Sequence, residues 1–452
     1  MEKDADIIVL GGGASGLAAA YLAARAGLKV ILVEASATVG GLLSTFPVGG
    51  TRLEHYYHHF FSHDEELRWL CAELGIADRL RFHAATMGVY RGGNHFAFNS
   101  PADLLLRFKP VDLPGRLRFA ATSLYLGRYA DWRNWEHMTA LEWFRRYAGK
   151  SATDAIWQPM LEIKFGPYAS EVPVSWMIGR LRQRMNSRER GDERLGYLEG
   201  SLEVLLSALT QHLKRLGVVV KTNLPVEGLV VDQGVAHAIK TAEGTLTSHQ
   251  LLSSLPTPHL ARLLAPHHAE YANDLAKVQY FGAVCTILEM NQPLSETYWL
   301  NVADEGFPFG GVIEHTNLIH PGQYQGRHLA YLSRYYEAGH PLSKAPTAEV
   351  SETMLRPLSR LYPDWRESQL ENVHVFRTNT AAVVCDRGFS KKVPAVSTPL
   401  RDLYAISMAH VYPDERSCNN SIRVAGAALR SMGHSTGDLP RGPSLAGLIG
   451  FS

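Results

Sequence analysis

Residues 53–63 read LEHYYHHFFSH and place His55, His58, His59 and His63 among four aromatic side chains. Histidines in such density suit metal ligation, a proton relay, the wall of a cofactor pocket, or an unusual piece of surface. The HxxHHxxxH spacing matches no standard metal site, and only Glu54 and Asp64 stand close to the run as acidic residues. No metal is therefore expected. The second set of chemistry-bearing residues is Gly11, Gly13 and Gly16, in G-x-G-x-x-G spacing, followed by Glu34. In a strand–turn–helix setting, the first glycine permits the tight turn and the second lets a pyrophosphate reach the backbone. The third allows helix and strand to pack closely. A carboxylate at Glu34 suits both hydroxyls of a ribose and opposes a 2′-phosphate.

The elements around these residues have the periodicity that this chemistry needs. Ile7 to Leu10 reads as a buried strand, Ala14 to Ala26 as an alanine-rich helix stopped by Gly27, and Lys29 to Glu34 as a second strand. Ala14 and Ser15 open the helix, whose free N–H groups and positive dipole end face the phosphates. Ala35 follows the acid and completes the nucleotide-binding set of this segment. Further on, a helix is expected over 202–216, with strands at 218–221, 226–232 and 235–241.

The chain has 452 residues, too many for one ordinary core, so two domains or one large domain with an insertion are expected. It is 46% hydrophobic and 20% charged, which marks a folded globular protein. Lys and Arg number 45 against 44 Asp and Glu, with no basic block, which argues against nucleic acid as a partner. No uncharged apolar run approaches the ~18–20 residues of a membrane span. Cys71, Cys285, Cys385 and Cys418 form no CxxC pair, as expected of a cytoplasmic protein.

Three segments together resemble the FAD-binding amine oxidase, protoporphyrinogen oxidase and phytoene desaturase superfamily, which also relates to UDP-galactopyranose mutase. The first is the glycine loop continued into ASATVGGLLSTF. The second is LGYLEGSLEVLLSALTQHLKRLGVVVKTNLPVEGLVVDQG, and the third is LYAISMAHVYPDERSCNNSIRVAGAALRSM. The resemblance implies a discontinuous α/β fold, with a Rossmann-like FAD-binding domain of the glutathione-reductase type at 1–60, 196–265 and 376–435. An inserted α+β substrate domain, a mixed sheet with a helical cap, would occupy 61–195 and 266–375, and a mobile tail 436–452. It also implies that Gly40, Gly41 and Leu42 pass near the flavin and that the backbone at Val226 meets the adenine. Asp414 or Glu415 would serve the ribityl–phosphate end, and Asn419, Asn420 and Ser421 would open a helix aimed at the flavin pyrimidine. His58 aligns with a family histidine beneath the ring, which makes His58 and His59 a flavin-facing wall able to exchange a proton. Leu42 replaces a common Arg or Lys, and Met408-Ala409 replaces a glycine pair. The strand 283–290 lacks the lysine that amine oxidases carry.

The implied activity is hydride removal from a small organic or lipid-like substrate to the flavin, oxidase or desaturase in type. The alternative is a mutase-type isomerase using reduced FAD without net redox change. Non-covalent FAD is expected, although Cys385 stands at a suggestive distance before the last motif. Substrate contact is expected from Lys164, from Glu314 and His315, and from Arg180 and Arg184, which with Arg182 lie on one helix. Ser62 and Glu65 read as a capping box. Residues 101–132, mixing Leu, Phe and Arg, suit either a cap helix or peripheral contact with a membrane. Substrate identity and oligomeric state stay open.

Overall fold

The computed structural model describes residues 2–100, 102–189, 192–442 and 449–451. The chain builds two seven-stranded sheets, and the active-site candidates lie between them. In the first, Ala5–Leu10 is central, pairing in parallel with Val30–Val33 on one side and with Gly244–Ser253 on the other. Val219–Lys221 extends the parallel edge beyond Val30–Val33, and Leu403–Ala405 adds a parallel partner to Gly244–Ser253. Gly228–Asp232, Val235–Thr241 and Gly244–Ser253 form an antiparallel meander. Ile7–Leu10 and Val30–Val33 are apolar on both sides because both sides are covered. Ile7, Val9, Val30 and Leu32 pack with the helices Ala14–Arg25, Glu203–Arg215 and Cys418–Ser431. Ile8, Leu10, Ile31 and Val33 face the helices Thr257–Leu264 and Ala269–Ala276. The result is the expected α/β, Rossmann-like arrangement.

The second sheet runs Leu370–Val383, Tyr280–Met290, His328–Tyr336, Gly311–Glu314, Trp299–Val302, Met87–Arg91 and Asn94–Ala97. It is antiparallel except where Trp299–Val302 pairs with Met87–Arg91, so it is the mixed sheet that was expected. Its helical cap includes Leu113–Arg128, Ala140–Tyr147, Gln158–Phe165 and Val174–Asn186.

Several sequence expectations are corrected here. The helix Glu65–Glu73 packs in the first core through Leu67, Leu70 and Cys71, although it follows residue 60. Residues 370–383 belong to the second sheet, although the boundary was set at 376. Ser62 does not cap that helix. Asp64 holds the N-cap position without a side-chain cap bond, its carboxylate turned back to accept from the Phe61 N–H at 2.9 Å. A capping box of the expected Ser/Thr-x-x-Glu kind forms instead at Thr139 and Glu142. In the tail expected to be mobile, Leu439 is buried against the first core and the Gly442 N–H donates to Glu66 at 3.1 Å. The Gly450 carbonyl accepts from Val396 N–H at 2.8 Å. Residues 443–448 and 452 of that tail lie outside the described residues.

Candidate active site

A single cavity of 1350 Å³ runs from the glycine loop to the helical cap. At the first end, the strand Ala5–Leu10 breaks at Gly11, whose φ of +99° excludes ordinary side chains. A Cβ on Gly16 would lie 1.9 Å from the Gly11 carbonyl oxygen, so only glycine lets helix and strand meet there. A Cβ on Gly13 would meet nothing within 4 Å, because that position faces open space. No side chain caps the helix Ala14–Arg25, so its first N–H groups remain available to an anion. Glu34 is held by the N–H groups of Gly12 at 2.7 Å and Ser36 at 2.8 Å, and with Ala14, Ser15 and Ala35 it lines the cavity. Gly40 donates to the Gly12 carbonyl at 2.8 Å, and a Cβ on Gly41 would sit 3.2 Å from the Gly13 Cα. The glycine pair is therefore pressed onto the Gly11–Gly16 loop, with Leu42 on the cavity wall beyond it.

The histidine stretch forms the middle wall, and it is clamped at both ends. Glu54 accepts from Leu202 N–H at 2.6 Å and from Tyr197 Oη at 2.9 Å, while Phe60 N–H donates to Gly196 at 2.8 Å. Between the clamps, His55, Tyr56, Tyr57, His58 and His59 line the cavity. His55 stacks on Phe376 with ring centroids 3.9 Å apart, and His58 places Nδ1 2.6 Å from the Tyr56 carbonyl. Burial lowers His55 and His58 to about 4. Burial, with Arg184 adding, lowers His59 to about 3, so all three are neutral at physiological pH. The Nδ1 of His59 is shielded from solvent and hydrogen-bonds to no protein group. His63 stacks on Phe61 and does not line the cavity. Among the described residues no cluster of three His, Cys, Asp or Glu is placed to hold a metal.

The far end divides into a charged wall and an apolar one. Lys164 lies 3.7 Å from Glu415 and 4.6 Å from the centre of the Trp176 ring, and Arg180 pairs with the same Glu415 oxygen. Arg184 pairs with Glu193 and lies over Trp299, while Arg416 donates to Tyr335 Oη. Burial, reinforced by Arg180, brings the Lys164 ammonium down to about 7. Burial raises the Glu415 carboxyl, but Arg180, Lys164 and Arg184 outweigh it and hold the group at about 2. The apolar wall includes Phe98, Leu104, Phe119, Trp157, Met160 and Met177.

Not every expected residue is in this cavity. Glu314 turns away to accept from Leu294 N–H at 2.8 Å and Ser295 N–H at 2.9 Å, and burial raises it to about 7. His315 is buried against Tyr324 Oη at 2.7 Å, and burial lowers it to about 3. These two residues fix a turn and lie outside the site. Asp414 approaches Arg423 at 3.6 Å and is not on the wall. The C-terminal helix begins at Cys418, capped by Ser417, so Ser417, Cys418 and Ser421 face the cavity. Asn419 instead bridges Leu67 N–H and Glu66, and Asn420 donates to the Glu415 carbonyl at 2.6 Å. Val226 packs on the core face behind the sheet, although Leu224 N–H ties its segment to the Glu34 carbonyl at 2.9 Å. Arg182 reaches the Ala130 carbonyl at 2.9 Å, away from its two neighbours. Sequence reading missed Glu193, Trp299, Tyr335 and Arg416. Only Arg416, next to Glu415, left a local sign.

A flavin nucleotide suits this cavity, which combines an unhindered approach at Gly13, unspent N–H groups and a volume above the usual ~300–1,000 Å³ of small-ligand sites. Comparison with known proteins points the same way. A 15-cis-phytoene desaturase from Narcissus pseudonarcissus is 22% identical over 385 residues, covering 80% of this chain and 67% of the relative. A protein from Exiguobacterium sp. 255-15, provisionally named as a protoporphyrinogen oxidase, superposes with a TM-score of 0.75 at 17% identity, over 94% of this chain and 98% of that one. Reduced UDP-galactopyranose mutase gives 0.71 at 15% identity, over 95% of each chain. The family model for flavin containing amine oxidoreductases matches residues 14–382, and the chain belongs to that family.

Proposed function

We propose that this protein is an FAD-dependent oxidoreductase of the oxidase or desaturase type, with FAD held non-covalently and a small organic or lipid-like substrate. The observation that carries this reading is the continuity of one cavity from the Gly11–Gly16 loop to the walls of Lys164 and Phe119. When bound, FAD supplies an acceptor for the hydride leaving a substrate C–H or C–N bond. The N–H groups at the start of the helix Ala14–Arg25 would take its pyrophosphate, and Glu34 its ribose. The N-terminus of the Cys418–Ser431 helix would face the ring, where its dipole favours negative charge. His58 and His59, both kept neutral, provide a flat wall that does not compete for that charge. Lys164 is the group suited to accept a proton at Nζ near neutrality, with Glu415 beside it to hold the resulting ammonium. The apolar cap side chains exclude water. Cys385 is buried outside the cavity wall, which favours a non-covalent cofactor.

Two further parts of this reading concern location. The four free cysteines are all buried, in keeping with the cytoplasm. Leu106, Leu113, Leu117 and Leu124 are exposed on the cap, a face suited to peripheral lipid contact. No helix among the described residues is long and apolar enough to cross a membrane.

An anaerobic titration of the purified protein with NADH and then NADPH tests the reading, followed by acid release of the chromophore. A yellow protein that releases free FAD, resists both nicotinamides and is reduced by dithionite is expected. A colourless protein that cannot be loaded with FAD would overturn the proposal. The charged end of the cavity also suits the mutase-type isomerase. Bleaching by a nicotinamide, with no acceptor consumed per turnover, would favour that second reading.

A further inference from the structure

Six cations line the cavity among the described residues: Arg128, Lys164, Arg180, Arg184, Arg377 and Arg416. Three carboxylates line it as well, of which Glu193 and Glu415 stand among the cations and Glu34 lies at the glycine end. None of the six lies on the Gly11–Gly16 loop, where backbone N–H groups serve the dinucleotide phosphates. Within the charged wall, Arg184 has Glu193, and Arg180 and Lys164 share Glu415. Arg416 donates to the Tyr335 hydroxyl, and its guanidinium lies over that ring at 5.8 Å. Beside them, His59 Nδ1 is shielded and unpartnered, with its ring 5.9 Å from Trp299, over which Arg184 also lies. Lys164, Arg180, Arg184 and Arg416 are each partly buried, whereas Arg128 is exposed, and an excess of positive charge held partly out of water is costly until an anion joins it. The opposite wall, with Phe98, Leu104, Phe119 and Trp157, offers a long apolar surface. It continues into the exposed cap through Leu124, which both lines the cavity and is 50% exposed.

We propose that the substrate is an anionic amphiphile. Its carboxylate or phosphate head sits among Arg184, Arg416 and His59, and its apolar chain runs along Phe98, Leu104, Phe119 and Trp157 toward the cap. This rests on the preceding reading in one respect, that the flavin occupies the glycine end. The inference runs against the family's name, because an amine enters such a site as a cation and is repelled by the same groups that attract an acid.

The test uses the full flavin-loaded chain, with binding read by calorimetry and by the flavin difference spectrum. The probes are dodecanoate, dodecyl phosphate, dodecylamine, dodecanol and inorganic phosphate, below micellar concentrations. The two amphiphilic anions are expected to bind about tenfold or more tighter than the amine or the alcohol. Inorganic phosphate is expected to bind at least about tenfold more weakly than dodecyl phosphate, for want of the chain. Arg416→Met removes a cation without stranding a carboxylate. It should lower affinity for both anions about tenfold and leave dodecanol unchanged, and Arg416→Lys should restore most of the loss. Equal or tighter binding of the amine overturns the proposal. So does equality of acid and alcohol, equality of inorganic and dodecyl phosphate, or an Arg416→Met variant with undiminished anion affinity. A colourless protein sinks the flavin reading alone, since calorimetry still reports the acid-to-amine ratio. A yellow protein without a preference for acids sinks this inference alone.

Discussion

The two ends of the cavity are built by different means. The glycine end works with backbone: N–H groups at a helix start, two glycines pressed together, and one carboxylate fixed by Gly12 and Ser36. The far end works with side chains from separated segments, such as Lys164, Arg184, Glu193, Trp299 and Arg416. A backbone site is made by local geometry and must be written in contiguous sequence. A side-chain site is made by topology and need not be.

The largest expected effect sharpens the first half of that contrast. In Gly16→Ala, the new methyl meets the Gly11 carbonyl at 1.9 Å, so strand and helix must part. Overpacking of this kind costs about 1–3 kcal/mol or more and here also spoils the phosphate cradle, so the protein should be recovered without flavin. Gly13→Ala has room within the protein. It should melt like the parent yet load flavin about tenfold more weakly, because its methyl occupies the space that the pyrophosphate needs. Flavin absorbance per chain and melting temperature separate the two. If Gly13→Ala loads normally, the phosphates do not lie there.

The next effect concerns an ion pair that supports the site without touching it. Glu66 is fully buried, holding Arg423, Asn419 and Gly442 at once. Glu66→Gln leaves the Arg423 guanidinium buried with Asp414, at 3.6 Å, as its nearest carboxylate. A loss of about 3–5 kcal/mol is expected in denaturant unfolding, with an unchanged flavin spectrum in the folded fraction. A large spectral change would return Asn419 to the cofactor.

How much was legible follows the same division. Gly11, Gly13, Gly16, Glu34, Gly40 and Gly41 were readable because each answers a local demand: a positive φ, a close approach or a helix start. The alternating cores on either side of Ile7–Leu10 were readable because a strand covered on both faces is apolar throughout. His58 and His59 were placed by their position after the glycine pair. Glu314 and His315 misled because buried polar residues at a strand end look the same whether they face a ligand or a turn. Here Leu294 and Ser295 take up the carboxylate. Asn419 misled because the helix starts two residues earlier than expected, at Cys418, which rotates Asn419 toward Glu66. Glu193 and Trp299 were invisible because nothing near them in sequence announces the cavity.

The charged end makes a prediction that the glycine end does not share. Lys164 falls to about 7 through burial, so raising the pH through 7 removes a cation from the wall. Dodecanoate, ionised throughout that range, should bind more weakly at pH 8.5 than at pH 6, by a factor of about three to ten. Flavin loading should not follow that curve. Lys164→Met should flatten the anion profile at its weaker level, as measured by calorimetry at each pH. A profile that stays steep in the variant would assign the titration to another group.

The smallest effect is the most useful for separating structure from function. Glu314 and His315 were expected to touch substrate, so Glu314→Gln should leave flavin content and dodecanoate affinity untouched if the side chain only fixes its turn. Stability should change in a pH-dependent way. At pH 5 the wild-type carboxyl is largely protonated when folded, and the amide presents an NH2 group where Leu294 and Ser295 N–H already donate, at a cost of about 1–2 kcal/mol. Burial raises the folded carboxyl from 4.5 to about 7, so the folded state holds its proton longer than the unfolded chain does. The stability this contributes is fully present below 4.5 and is lost as pH climbs through 7, by an amount on the order of 3 kcal/mol. The glutamine variant does not titrate, so its deficit should shrink with rising pH and close or reverse by pH 8. Chemical denaturation at the two pH values checks the sign. A deficit that instead grows with pH would mean that the ionised carboxylate is the form the turn requires.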